Sequence, residues 1–167
     1  MSNTEQTVKK PVRTKTHRAP KTDRKYEPVA NVRDLLEIID KHENRRAFSY
    51  FDKKRELHHV SYAELGVQIK KIAAGLTELG YAGKRIALIG ETSVAWVATY
   101  LAIHAVGGVV IPMDKELEIE VIEGFLDSVE ADGILYSASF NGKFTATMEN
   151  HKSLTLFIPI DPDEAEL

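Results

Sequence analysis

Cysteine is absent from the 167 residues. That removes disulfides, thiol nucleophiles and cysteine-ligated zinc from consideration. No apolar run approaches the roughly 18 residues that a membrane-crossing helix needs. The first residues lack the apolar stretch of a secretory signal. There is no H-E-x-x-H metal motif, no internal repeat and no glycine-rich dinucleotide fingerprint. What is present suits one soluble domain of ordinary size, with 43% hydrophobic and 28% charged residues. The expected location is the cytoplasm.

The net charge of -3 conceals an asymmetry. Residues 1–28 hold eight Lys/Arg against three Asp/Glu, and the remainder carries a net -8. The segment TVKKPVRTKTHRAPKTDRKYEP contains three prolines and few apolar residues. It cannot bury enough surface to offset its ordering entropy, so a disordered basic tail is expected. A solubilising role is favoured. Peripheral contact with an anionic membrane is the alternative. Nucleic acid is disfavoured as a partner, because no aromatics interleave the charges.

Order is expected from Asn31, a helix cap followed by Val32, Leu35, Leu36 and Ile39 at helical spacing. AFSYF (47–51) and LHHV (57–60) read as a short hairpin around DKKRE. Ser61 and Glu64 form a capping box ahead of a helix whose inward stripe is Leu65, Ile69, Ile72, Leu76 and Leu79. Gly80 suits its left-handed end. IALIG (86–90) is a continuous apolar run, as for a strand covered on both faces. Residues 93–106 are apolar nearly all round and predict a buried helix.

Gly107-Gly108 then leads into VVIP, a strand expected to end at Pro112. Glu116–Glu130 predicts a helix with Leu117, Val121, Ile122, Phe125, Leu126 and Val129 inward. GILYS (133–137) and TLFIPI (155–160) are further strands. Strands alternating with helices predict an α/β fold: a partial doubly wound, mainly parallel sheet with flanking helices, after a short hairpin and the basic tail.

Candidate sites are few. Gly80, Gly83, Lys84 and Arg85 imitate a phosphate loop, but the order is helix to strand and Arg85 replaces the Ser/Thr, so a plain turn is preferred. Gly90-Glu-Thr-Ser93 stands where a strand gives way to a helix, the usual ligand edge of an open α/β sheet. Helix capping by Thr92 or Ser93 is the favoured role. Asp114-Lys115-Glu116 closes the next strand at the same edge and is read as a loop closure rather than a catalytic carboxylate. His58 and His59 point to opposite faces of a strand. His104 is expected to be a satisfied core or interface histidine, and His17, His42 and His151 show no partner pattern. No nucleophile, base and orienter assemble by spacing.

Four stretches in order carry a family likeness: VSYAEL (60–65), AAGLTELG (73–80), RIALIGETSVAW (85–96) and LAIHAVGGVVIPMDKEL (101–117). With them, Asn31 to Ser137 resembles the N-terminal part of AMP-forming acyl-CoA synthetases, the adenylate-forming ligases, and most resembles bacterial long-chain fatty-acid–CoA ligases. Thr92 stands where the family often has Asn, and Ala95 where it often has Glu. The resemblance implies that residues 29–167 are an incomplete N-terminal subdomain of an AMP-binding domain.

For the whole enzyme the resemblance implies ATP, Mg²⁺ and coenzyme A, a fatty acid substrate, and a two-step reaction through acyl-AMP. The family's Y-T-S-G-T-T-G-like phosphate loop, later carboxylates and catalytic lysine have no match in residues 1–167, and the loop is expected just beyond them. No catalytic, cofactor-binding or metal residue is therefore assigned, and no cofactor is expected on this chain alone. The expected partner is the missing C-terminal portion of the ligase, in cis or in trans. The rival readings are one subunit of a split ligase and a non-catalytic binding module with a basic arm.

Overall fold

A computed structural model describes residues 28–52, 54–144, 147, 151 and 154–161. The basic tail lies outside the described residues, apart from Pro28. The elements are α1 (Val32–Lys41), β1 (Arg46–Phe51), β2 (Leu57–Ser61), α2 (Tyr62–Glu78), β3 (Arg85–Ile89), α3 (Val94–Ala105), β4 (Val109–Met113), α4 (Ile119–Ser128), β5 (Gly133–Tyr136), a 3-10 turn (Ala138–Phe140) and β6 (Leu156–Pro159).

Local chemistry sets the helix starts. The Asn31 side chain accepts from the Asp34 N–H, and Asp34 in turn accepts from the Ala30 N–H. At α2 the expected capping box is complete: Ser61 Oγ accepts from the Glu64 N–H, and the Glu64 carboxylate accepts from the Ser61 N–H. The bonds that the Ser61 N–H and then its hydroxyl donate to the Glu64 carboxylate hold it below its ordinary value. Ser93 caps α3 by accepting from the Trp96 N–H at 3.1 Å.

β1 and β2 pair antiparallel as a separate ribbon. The main sheet is parallel, in the order β4-β3-β5-β6. Its first strand therefore lies inside, which is why β3 reads as an unbroken apolar run. Ile86, Ala87, Leu88 and Ile89 are all fully buried. Each of the larger three contributes about 1.5–3 kcal/mol of burial. Helices α2 and α3 cover one face through Leu76, Ile86, Leu88, Ile103 and Leu135. On the other face α4 and the turn after β5 pack through Ile122, Leu126, Ile134, Phe140 and Phe144. The hairpin and α1 lie against α2 and α3 through Ile39, Phe48, Leu65, Ile69 and Ala98.

Several expectations need correction. β4 continues through Pro112 to Met113, because an edge strand tolerates a residue without an N–H. α4 spans Ile119–Ser128 rather than Glu116–Glu130. Val121 and Phe125 are exposed, since only the stripe with Ile122 and Leu126 reaches the sheet. Leu79 is also exposed, as the residue that closes α2 at the rim of a groove. α3 is not buried all round. Ala98, Leu101, Ala102 and Ile103 are buried, while Trp96, Tyr100 and His104 form a half-buried aromatic row, each ring about one turn from the next.

Candidate functional site

The strand order makes β3 the turning point of the sheet, with β4 added on one side and β5 on the other. Ligands of doubly wound sheets bind in the crevice at the carboxyl ends of such strands. Here that crevice is built by the loop after β3 and the turn after β5. Gly90 has a φ of 152°, a region that side chains disfavour, and a Cβ there would overlap the Ser137 side chain. The two loops therefore touch. Ser137 is buried, its N–H donates to the Ile89 carbonyl at 3.0 Å, and its Oγ accepts from the Glu91 N–H at 3.1 Å. The Ala138 N–H donates to Asp161 Oδ1 at 2.7 Å, tying the end of β6 to the same edge.

Beside this junction lies an open cleft of about 580 Å³ between the hairpin and the start of α3. Phe48, Tyr50 and Phe51 line one wall, with Thr92, Ser93 and Asp161 on the polar side. The two loop motifs that the sequence placed at this edge meet here. Lys115 Nζ lies 2.9 Å from Glu91 Oε1 and 3.2 Å from Glu116 Oε1. The hydrogen bond to Glu91, then that to Glu116, raises the lysine above its ordinary value. Asp114 accepts from the Glu116 N–H at 3.0 Å, as a loop closure does. Burial alone pushes the Tyr136 hydroxyl up.

The polar side chains at this edge are engaged with one another and with the backbone. Glu91 and Asp114 are committed to Lys115 and to a backbone N–H, Ser93 to the α3 cap, and Ser137 to both loops. No catalytic step is assigned to them.

The remaining candidates resolve as structure. Gly80 and Gly83, with φ of 81° and 74°, form a turn at the opposite, amino edge of the sheet. Lys84 lies 3.3 Å from Asp132 and Arg85 3.0 Å from Glu130, so the imitation phosphate loop has its basic side chains paired. His59 bonds Ser49 Oγ at 3.0 Å, and His58 bonds Asp52 at 2.9 Å. His104 packs edge-on against Tyr100.

Sequence reasoning missed two groupings. His151 lies 3.0 Å from Asp127, and Thr147 donates to Glu123 at 2.8 Å, tying the stretch after the turn to α4. Only the fold brings these partners together. Asp52, Glu56 and His58 place one ligand atom each within 4.8 Å of one another. Asp52 bonds His58 and accepts from the Glu56 N–H at 2.7 Å, and these two bonds, that to His58 foremost, close the hairpin turn and hold its carboxyl low. The alternation of Asp52, Glu56 and His58 around a turn was the available signal.

A family model described as "AMP-binding enzyme" matches residues 36–166. The chain is 30% identical over 116 residues to YtcI, an uncharacterised acyl–CoA ligase of Bacillus subtilis (strain 168), covering 68% of this chain and 22% of that protein. It superposes at a TM-score of 0.64 on a structure from studies of fatty acyl-adenylate ligases of E. coli and L. pneumophila, with 21% identity, over 77% of this chain and 23% of the other. The anthranilate CoA ligase AuaEII, solved with anthranoyl-AMP, gives a TM-score of 0.66 at 18% identity, over 77% and 24%. At such identities these two likenesses concern the fold. The chain spans less than a quarter of the length of each of these relatives. With the sheet, its strand order and the sequence match in agreement, the chain belongs to the AMP-binding family of adenylate-forming ligases.

Proposed function

We propose that this chain is the N-terminal scaffold of a cytoplasmic acyl-CoA ligase acting on long-chain fatty acids. The whole enzyme would join a carboxylate to ATP, release pyrophosphate and pass the acyl group from AMP to coenzyme A. The family match over residues 36–166 is the observation that carries this reading. Long-chain fatty acids are favoured by the motif resemblance.

On this reading the Gly90–Ser137 junction contributes the rigid floor of the active crevice. The groups that stabilise charge on the transferred phosphate come from the remaining part of the ligase. The isolated chain is inactive. ATP–pyrophosphate exchange with a panel of fatty acids tests this. No exchange is expected from the purified chain, and exchange is expected once the remainder of a related ligase is supplied in trans. Turnover by the chain alone overturns the scaffold reading.

A further inference from the structure

The turn after β5 carries a dipeptide with chemistry of its own. The chain has five asparagines, followed by Thr4, Val32, Arg45, Gly142 and His151. Only at Asn141 does glycine come next. An asparagine side-chain carbonyl lies within reach of the next residue's backbone nitrogen, and closing on it makes a five-membered ring. A side chain on that next residue obstructs the approach, and glycine has none.

The structure places this pair in the open. Asn141, Gly142 and Lys143 are exposed, between the buried rings of Phe140 and Phe144. Gly142 has a φ of 72°, and a Cβ there would meet nothing within 4 Å, so its flank is open. Closing the ring requires rotation about the Asn141 Cα–C bond from its ψ of 143°. Gly142 takes up that change because it is at ease on both sides of φ. Asp132-Gly133 is the comparable pair that the fold shuts. The Asp132 carboxylate accepts from the Arg85 N–H at 2.8 Å, and Gly133 is buried in β5, where a Cβ would overlap Leu156.

We propose that Asn141-Gly142 is a self-modification site, at which the chain deamidates without an enzyme and passes to aspartate and isoaspartate. The Gly142 nitrogen bonds to Asn141 Cγ, and the Cγ–Nδ2 bond breaks. Nδ2 leaves as ammonia, carrying the proton that the Gly142 nitrogen gives up. Water then opens the succinimide ring. Cleavage of the new bond to Cγ leaves aspartate, and cleavage of the bond to the main-chain carbonyl carbon leaves isoaspartate. Nothing is oxidised or reduced, and water is the sole co-reactant.

Both products take the net charge of -3 one unit lower. Isoaspartate also adds one methylene to the main chain. The addition falls between Phe140 and Phe144, whose rings stack at 5.5 Å in the core, and close-packed rings do not absorb a longer link. The Phe140 N–H donates to the Ser137 carbonyl at 2.9 Å, which ties this turn to the Gly90–Ser137 junction.

The test holds the purified chain in warm, mildly alkaline buffer, which ionises more of the attacking nitrogen, and digests it at intervals for mass spectrometry. The peptide spanning Asn141 is expected to exchange the mass of NH2 for OH and to split into aspartate and isoaspartate forms. The peptides of the other four asparagines are expected to stay intact over the same interval. Asn141→Gln, whose ring would need six members, is expected to lose the acidic species seen on anion exchange. The aged chain is expected to have a lower urea midpoint than the fresh one, and Asn141→Asp, with the charge but the ordinary main chain, to keep the fresh value. Conversion in the urea-unfolded chain but not in the folded chain overturns the site, as does earlier conversion of another asparagine. An acidic species that persists in Asn141→Gln also overturns it. A midpoint lowered equally by Asn141→Asp overturns the effect assigned to the longer main chain.

Discussion

Gly90 and Ser137 occupy adjoining space at the carboxyl edge of the sheet, so closely that one of them must lack a side chain. Their contact couples the loop after β3 to the turn after β5. Gly90→Ala introduces both a disfavoured φ and an overlap with Ser137. It is expected to lower stability by roughly 2–4 kcal/mol. Urea denaturation checks this, and adding Ser137→Gly to Gly90→Ala is expected to recover part of the loss.

Gly75 gives the opposite sign. No atom stands in the way of a methyl group there, and the helical backbone gains from losing glycine. Gly75→Ala is expected to stabilise the isolated chain by about 0.5–1 kcal/mol, seen as a higher urea midpoint at unchanged slope.

Ser93 is assigned to capping α3 and not to chemistry. Ser93→Ala is expected to cost about 1 kcal/mol, and Ser93→Asp to retain most of the parent stability. Equal loss in both variants, measured by thermal melting, would contradict the capping role.

Asp132 sets an acid limb. Its carboxylate accepts from the Arg85 N–H at 2.8 Å, the main cause of its lowered pKa, with Lys84 adding to it. A depressed folded-state value means that the stabilisation is present above the ordinary value near 3.8 and is lost as pH falls through the folded one. Asp132→Asn is therefore expected to be less stable than the parent at neutral pH, with the difference shrinking below about pH 4. Denaturation midpoints from pH 2 to 7 check this.

Much of the fold was legible because its signals are local. The Ser61–Glu64 box spans one helical turn, and β3 announces itself by four consecutive buried residues. α4 was half misread because Val121 and Phe125 repeat at the same helical interval as Ile122 and Leu126, and periodicity alone does not say which stripe meets the sheet. The crevice was legible only in outline. Gly90-Glu-Thr-Ser93 and Asp114-Lys115-Glu116 were placed at the right edge, but the Glu91–Lys115 pair is 24 residues apart and needs the βαβ crossover to form. Ser137 carried no signal of its own, because its role is to fill the space that Gly90 leaves empty.

The central position of β3 has a consequence for how the polypeptide acquires its shape during synthesis. Both neighbours of β3 follow it, β4 after one helix and β5 after two, so the inner three strands can close once Tyr136 is free of the ribosome. Parallel pairings across such crossovers form slowly, because loop closure precedes the contacts that reward it. Until β6 pairs with it, the open edge of β5 is the place where a stalled chain would first aggregate.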